Sequence, residues 1–180
     1  MGGVSSNVRT DLVRLVKVAV ISPSDVAAER DVLETVVGEL NRDMASRQRR
    51  VIHLWRWEKD ARPGLHVRGA QGLIDELMDI SEADIVVAIF WTRLGTPVGD
   101  ARSGTEHELK QAWAAWEERG RPDVLVYFCD RAHSPTSDEL EQWLQVHRLR
   151  AEIFERQLCS SYSDVTEFER LVREHLRACS

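Results

Sequence analysis

The stretch ADIVVAIFW, residues 83–91, decides the fold. It carries one charge and many β-branched side chains and shows no polar alternation, so it predicts a strand covered on both faces, the kind found in parallel sheets. Upstream, LVKVAVIS (residues 15–22) has the same character. After it, SPSDVAAERDVLETVVGELNRDM places Val26, Leu33, Val36, Val37, Leu40 and Met44 on one helical face, with Ser22 or Ser24 as N-cap and Pro23 in the first turn. VIHLWRW (residues 51–57) reads as the next strand, and GAQGLIDELMDIS (residues 69–81) as a helix with Leu73, Leu77 and Ile80 inward. Downstream, TEHELKQAWAAWEERG is a helix stopped by Gly120, and PDVLVYFC (residues 122–129) is another apolar strand. Amphipathic helices fill residues 137–156 and 164–178, with a short fifth strand in QLCSSYS between them.

Strands alternating with helices predict a three-layer α/β fold. The sheet is parallel and flavodoxin-like, of four to five strands, with helices on both faces and right-handed crossovers. No repeat or linker divides the chain, so residues 15–180 form a single domain behind a loose N-terminus of about 14 residues. In open α/β sheets ligands bind at the carboxyl ends of the strands. The loops to inspect are therefore SPSD (residues 22–25), RWEKDARPGLH (residues 56–66) and the stretch 91–105.

Composition narrows the function. The formal charge is −6, the wrong sign for a general nucleic-acid surface, and the RQRR cluster (residues 47–50) reads as a solvated helix end. Three cysteines, Cys129, Cys159 and Cys179, are an odd number without metal-type spacing, which points to a reducing, cytoplasmic setting, with Cys129 packed as a small core residue. No run approaches the roughly 18 apolar residues of a membrane helix. His53, His66, His133 and His147 show no metal-ligand spacing either, so neither a metal nor a cofactor is expected.

The loops exclude the commonest α/β chemistries. ISPSDVAAER lacks the glycines with which a dinucleotide-binding turn approaches a pyrophosphate, and no phosphate-binding P-loop is present. A phospho-accepting receiver domain needs a carboxylate at the exit of the central strand, where Phe90 and Trp91 stand. What the exits offer is Ser22, Ser24 and Asp25, then Trp57, Glu58 and Arg62, then Trp91, Thr92 and Arg93, a mixture suited to a flat, charged, hydrogen-bonding ligand. Ser22 and Asp25 also fit a capping box. Trp113 and Trp116, three apart on one helix, read as core or interface. Glu106 complements the helix dipole, and Glu108, about one turn in, can point back over the carboxyl edge.

VAVISPSDVAAERDVL, ADIVVAIF and SGTEHELKQA together resemble the TIR-like domains at the N-termini of large bacterial signalling ATPases, a group related to TIR domains and to nucleoside 2-deoxyribosyltransferases. The resemblance spans nearly the whole chain. In TIR domains a Ser or Cys followed shortly by Glu-Leu opens the helix bearing the catalytic glutamate, which here falls on Glu108. The transferases' Gly-Thr with a glutamate three positions after the Thr matches Gly104, Thr105 and Glu108. The resemblance implies an NAD+ glycohydrolase that takes NAD+ as substrate and needs no other cofactor, activated by self-association, in bacterial antiviral defence. It also implies a sensor or ATPase module in a longer parent chain. Trp57 or Trp91 would stack on a base, with Trp91 on the cleft floor beside Glu108, while Arg62 or Arg93 would hold the pyrophosphate. The pair of an aromatic and a cysteine usual before the glutamate is here Gly104 and Thr105. A nucleoside deoxyribosyltransferase or hydrolase, and a non-catalytic interaction module, are the alternatives.

Overall fold

A computed structural model describes residues 12–56, 79–95 and 102–179, apart from the side chains of residues 45–47. Five strands, β1 (Arg14–Ile21), β2 (Arg50–Trp55), β3 (Ile85–Phe90), β4 (Asp123–Cys129) and β5 (Ser160–Tyr162), form one all-parallel sheet in the order β2-β1-β3-β4-β5. That is the flavodoxin-like order, and the direction of winding reverses between β1 and β3. The α-helices among the described residues are α1 (Ala27–Gln48), α2 (Gly104–Arg119), α3 (Leu140–Phe154) and α4 (Val165–Cys179). Of the helix expected over residues 69–81, only a 3-10 turn at Ile80–Glu82 is described; Leu73 and Leu77 lie outside the described residues.

The strand period of two assigns each side chain to a face. Val16, Val18 and Val20 of β1, with Val87 and Ile89 of β3, pack under Leu33, Val36 and Leu40 of α1 and Phe168, Val172 and Leu176 of α4. The intervening Ala19, Ile21, Val86, Ala88 and Phe90 meet Leu109 and Ala112 of α2 and Val146, Leu149 and Ile153 of α3. The sheet is thus the middle of three layers, as the sequence predicts. Every residue of β3 is buried, and removing such a side chain from water is worth about 1.5–3 kcal/mol. All six positions predicted for the inner face of α1 are in the core. Cys129 is buried as well, and burial pushes its thiol pKa up, consistent with a packing role.

Element ends follow from local chemistry. Gly120, at a φ of 70°, closes α2, its N–H donating to the Trp116 carbonyl. Ser103 opens the same helix by accepting from the Glu106 N–H at 3.0 Å. Asp164 accepts from the Glu167 N–H, while the Glu167 carboxylate accepts from the Ser163 N–H. At the N-terminus of α1 the expectation fails. Neither Ser22 nor Ser24 caps a helix: a 3-10 turn, Ser24–Val26, precedes α1, and neither has a side-chain cap. The capping box expected of Ser22 and Asp25 is likewise replaced, because both side chains have tertiary partners.

Edge strand β2 would leave backbone groups unpaired on its outer side. Asn41 of α1 fills that place at Ile52, its amide N–H₂ donating to the carbonyl at 2.9 Å and its amide oxygen accepting from the N–H at 2.6 Å. Asn41→Ala should therefore cost about 1–3 kcal/mol, since it strands both groups of a buried residue. Urea unfolding is the check. An unchanged midpoint would mean that water replaces the amide without loss.

Candidate functional site

Burying a polar group without good reason is costly, so the placement of buried polar side chains is informative. Among the described residues these are Ser22, Glu29, Arg30, Arg56, Ser103, Thr105, Glu106 and Glu108. All follow the carboxyl ends of β1, β2 or β3, in the exit loops or the first turns of the helices that start there. They gather around the β1/β3 reversal, where sheets of this order bind ligands.

Asp25 joins the two exits. Its Oδ2 accepts from the Thr92 backbone N–H at 2.8 Å and from the Thr92 hydroxyl at 2.7 Å. Ser22 accepts from Arg30 Nη1 at 3.0 Å, and the same nitrogen donates to the Pro23 carbonyl. Arg56, at the exit of β2, reaches back to the Arg30 carbonyl and to the carboxylates of Asp31 and Glu34. Ser24 and Arg93 are exposed at the same edge. Trp57 and Arg62 lie outside the described residues.

Trp91 does not stand where the sequence reading put it. The alternation along β3 turns its ring to the α1 and α4 face, where it packs on that core, whereas α2, the helix of Glu108, covers the other face. Its Nε1 donates to the Arg131 carbonyl at 3.2 Å, the Arg131 guanidinium lies 4.2 Å from the ring centroid, and His133 meets it edge-on at 5.6 Å. Arg131 is held in turn by Glu29, 1% exposed, at 2.9 Å. Sequence reasoning missed Glu29 and Arg30, although the signal was present: three and four residues after Val26, they fall on the buried stripe of α1.

The two glutamates of α2 occupy different environments. Glu106 is 2% exposed, and its carboxylate accepts from the Arg102 guanidinium and backbone N–H and pairs with Lys110 at 2.9 Å. Burial pushes its pKa up, but the hydrogen bonds from Arg102 and Lys110 outweigh it and bring the group to about 2. The dipole role expected of Glu106 is thus the smaller part of its work. It fastens the end of the preceding loop to the helix, and Arg102 extends the network to Glu152 of α3. Glu108 is also buried, at 7% exposure, and lies about 200° around the helix from Glu106.

The chain just after β3 is held by α3. The Leu94 N–H donates to the Gln142 side chain of α3 at 3.0 Å, and Gly95 takes a φ of 99°, which residues with a side chain rarely adopt. A hollow lies at the opposite end of the sheet. It has a volume of about 700 Å³, against the starts of β4 and the ends of α2 and α4, and is walled by Trp113, Trp116 and Leu158 among others. Trp116 is 53% and Leu158 97% exposed. This amino-edge hollow contains none of the buried polar groups, and chemistry belongs with those. No group of three His, Cys, Asp or Glu among the described residues is placed to hold a metal ion.

Glu106→Gln should lower stability by about 2 kcal/mol at neutral pH, because it leaves Arg102 and Lys110 without their shared anion. The carboxyl titrates below its ordinary value of 4.5, so its contribution is complete above about pH 4.5 and is lost as the pH falls toward 2. The stability gap between parent and variant should accordingly close over that interval. A gap that stays constant in acid would refute the ion-pair account.

The comparisons with known proteins bear on lineage. No curated protein matches this sequence. Among solved structures, S. aureus homoserine dehydrogenase at pH 7.0 is similar at 11% identity and a TM-score of 0.37, over 83% of this chain and 32% of that one. The same enzyme at pH 8.5 is similar at 11% identity and 0.37, over 84% and 32%. This chain spans about a third of the length of those enzymes, and a likeness so remote carries no inference about activity. No helix among the described residues is long and apolar enough to cross a membrane. A family model described as "Domain of unknown function (DUF4062)" matches residues 73–177, more than half of the chain, and the protein belongs to that family.

Proposed function

We propose that this protein is a TIR-like NAD+ glycohydrolase, with Glu108 as the carboxylate that stabilises the reacting ribose. One observation carries the reading. Glu108 is a carboxylate at 7% exposure in the second turn of α2, the helix that begins beside the exit of β3, and an acid fixed at the carboxyl edge is the group this chemistry needs. The resemblance of SGTEHEL to the glutamate motifs of TIR domains and deoxyribosyltransferases selects the same residue.

The chemistry asks little of the protein beyond placement. Nicotinamide is attached to ribose as a cation and leaves as a neutral molecule with the electron pair of the broken C1′–N bond, so no general acid is needed. The ribose left behind is oxocarbenium-like, and a fixed carboxylate in a site shielded from water stabilises that positive charge. Water then adds to C1′ and releases a proton, giving ADP-ribose. Arg93, exposed at the same edge, is a cation for the pyrophosphate, with Arg62, outside the described residues, as the alternative. Activation by self-association, in an effector of antiviral defence, belongs to the same proposal.

Incubating protein with NAD+, NADP+ and a nucleoside panel, over a range of protein concentrations, tests the reading. Glu108→Gln should reduce nicotinamide release at least about a thousandfold in protein that circular dichroism shows to be folded. Glu106→Gln should keep most activity wherever it remains folded. Release of free base from nucleosides would favour the transferase or hydrolase alternative, and intact nucleotides at high protein concentration would favour the interaction module. Rates should climb faster than in proportion to protein, and strict proportionality would leave the domain active without assembly.

A further inference from the structure

We propose that a small hollow beside the exits of β3 and β4 is a binding site for a flat, amino-bearing nitrogen heterocycle, the base of an adenine nucleotide. This goes beyond the glycosidic reading and stands without it. The hollow has a volume of about 150 Å³, the share of about five waters. It holds one ring system or one phosphate, not a dinucleotide.

Its walls favour the ring. Trp91, Asp130, His133, Trp143, His147 and Arg150 line it, with Phe128 behind. Trp143 and His147 brace each other edge to face at 4.1 Å. Aromatic walls suit a base, because every base offers a π-face to stack. An anion is poorly served, because both arginines at the hollow are already neutralised. Arg150 grips Asp130 with two nitrogens, at 2.5 and 3.3 Å, and also donates to the Ser161 hydroxyl, while Arg131 is paired with Glu29.

The polar groups that remain match an aminated ring. Hydrogen bonds from Arg150 hold the Asp130 carboxyl below its usual range, so it stays an acceptor, able to take an exocyclic amine. His133, half-buried, adds an imidazole ring to the walls. The site lies at the ligand-binding edge of the sheet, and Gln142 of α3 ties its wall to the loop that leads into α2.

Calorimetric titration of the full chain with AMP, IMP and inorganic phosphate tests this. AMP should bind saturably and at least about fivefold tighter than IMP, whose carbonyl replaces the amine and would face Asp130. Phosphate should not displace it. Trp143→Leu should weaken AMP about tenfold with little change in melting temperature. Asp130→Asn should bring AMP and IMP close to equal affinity, a ratio that reports on the site without relying on overall stability. The source of the base follows from kinetics. If Trp143→Leu raises KM for NAD+ at constant kcat, the base is that of the substrate; if KM is unchanged, a separate adenine nucleotide occupies the hollow. No saturable AMP binding at millimolar ligand, binding untouched by both variants, or equal competition by phosphate would overturn the proposal.

Discussion

The carboxylate of Asp25, accepting both the backbone N–H and the hydroxyl of Thr92, is the contact on which the carboxyl edge depends. Parallel strands leave their exit loops side by side without pairing them, and among the described residues no helix bridges the gap at the β1/β3 reversal. A single acid just after β1 fixes the chain just after β3. From Thr92 the constraint passes to Leu94, held by Gln142, and to Gly95, beside which Ser103 and Thr105 begin α2. The first turn of α2 thus lies beside the chain that Asp25 fixes.

Around that contact the edge is built from charge instead of apolar packing. Glu29 with Arg131, Arg30 with Ser22, Arg56 with Asp31 and Glu34, and Glu106 with Arg102 and Lys110 form separate clamps, each joining a strand exit or loop to a helix. Buried ion pairs add little net stability compared with apolar residues of the same shape. Their concentration here, while both faces of the sheet are closed by aliphatic and aromatic side chains, is an arrangement suited to holding a polar ligand. The opposite edge has the larger hollow but is walled by exposed Trp116 and Leu158, a surface for contact more than for catalysis.

The strands were legible because a parallel sheet buried on both sides demands unbroken apolar runs, and residues 83–91 can be little else. The inner face of α1 was legible from spacing alone, and so was the stop at Gly120. Ser22 and Asp25 were misread because a serine and an acid before a helix usually cap it. Their real partners, Arg30 and Thr92, are brought to them only by folding. The ring of Trp91 was assigned to the wrong face although strand alternation already opposed it to Phe90. The role of Glu106 was half visible, since Arg102 and Lys110 stand four residues to either side. The hollow beside β4 was not visible at all, because Asp130, His133 and Trp143 meet only through the packing of α3 on a strand exit.

The most direct test of a carboxyl-edge site is an amide NMR titration of Glu108→Gln protein with NAD+, which keeps the substrate intact. The account predicts shifts concentrated at Ser22, Asp25, Thr92, Gly95 and residues 104–108, with the Trp113 and Trp116 signals still. Shifts centred on Trp113, Trp116 and Leu158, with the β1 and β3 exits unmoved, would place the site at the other end of the sheet and contradict it.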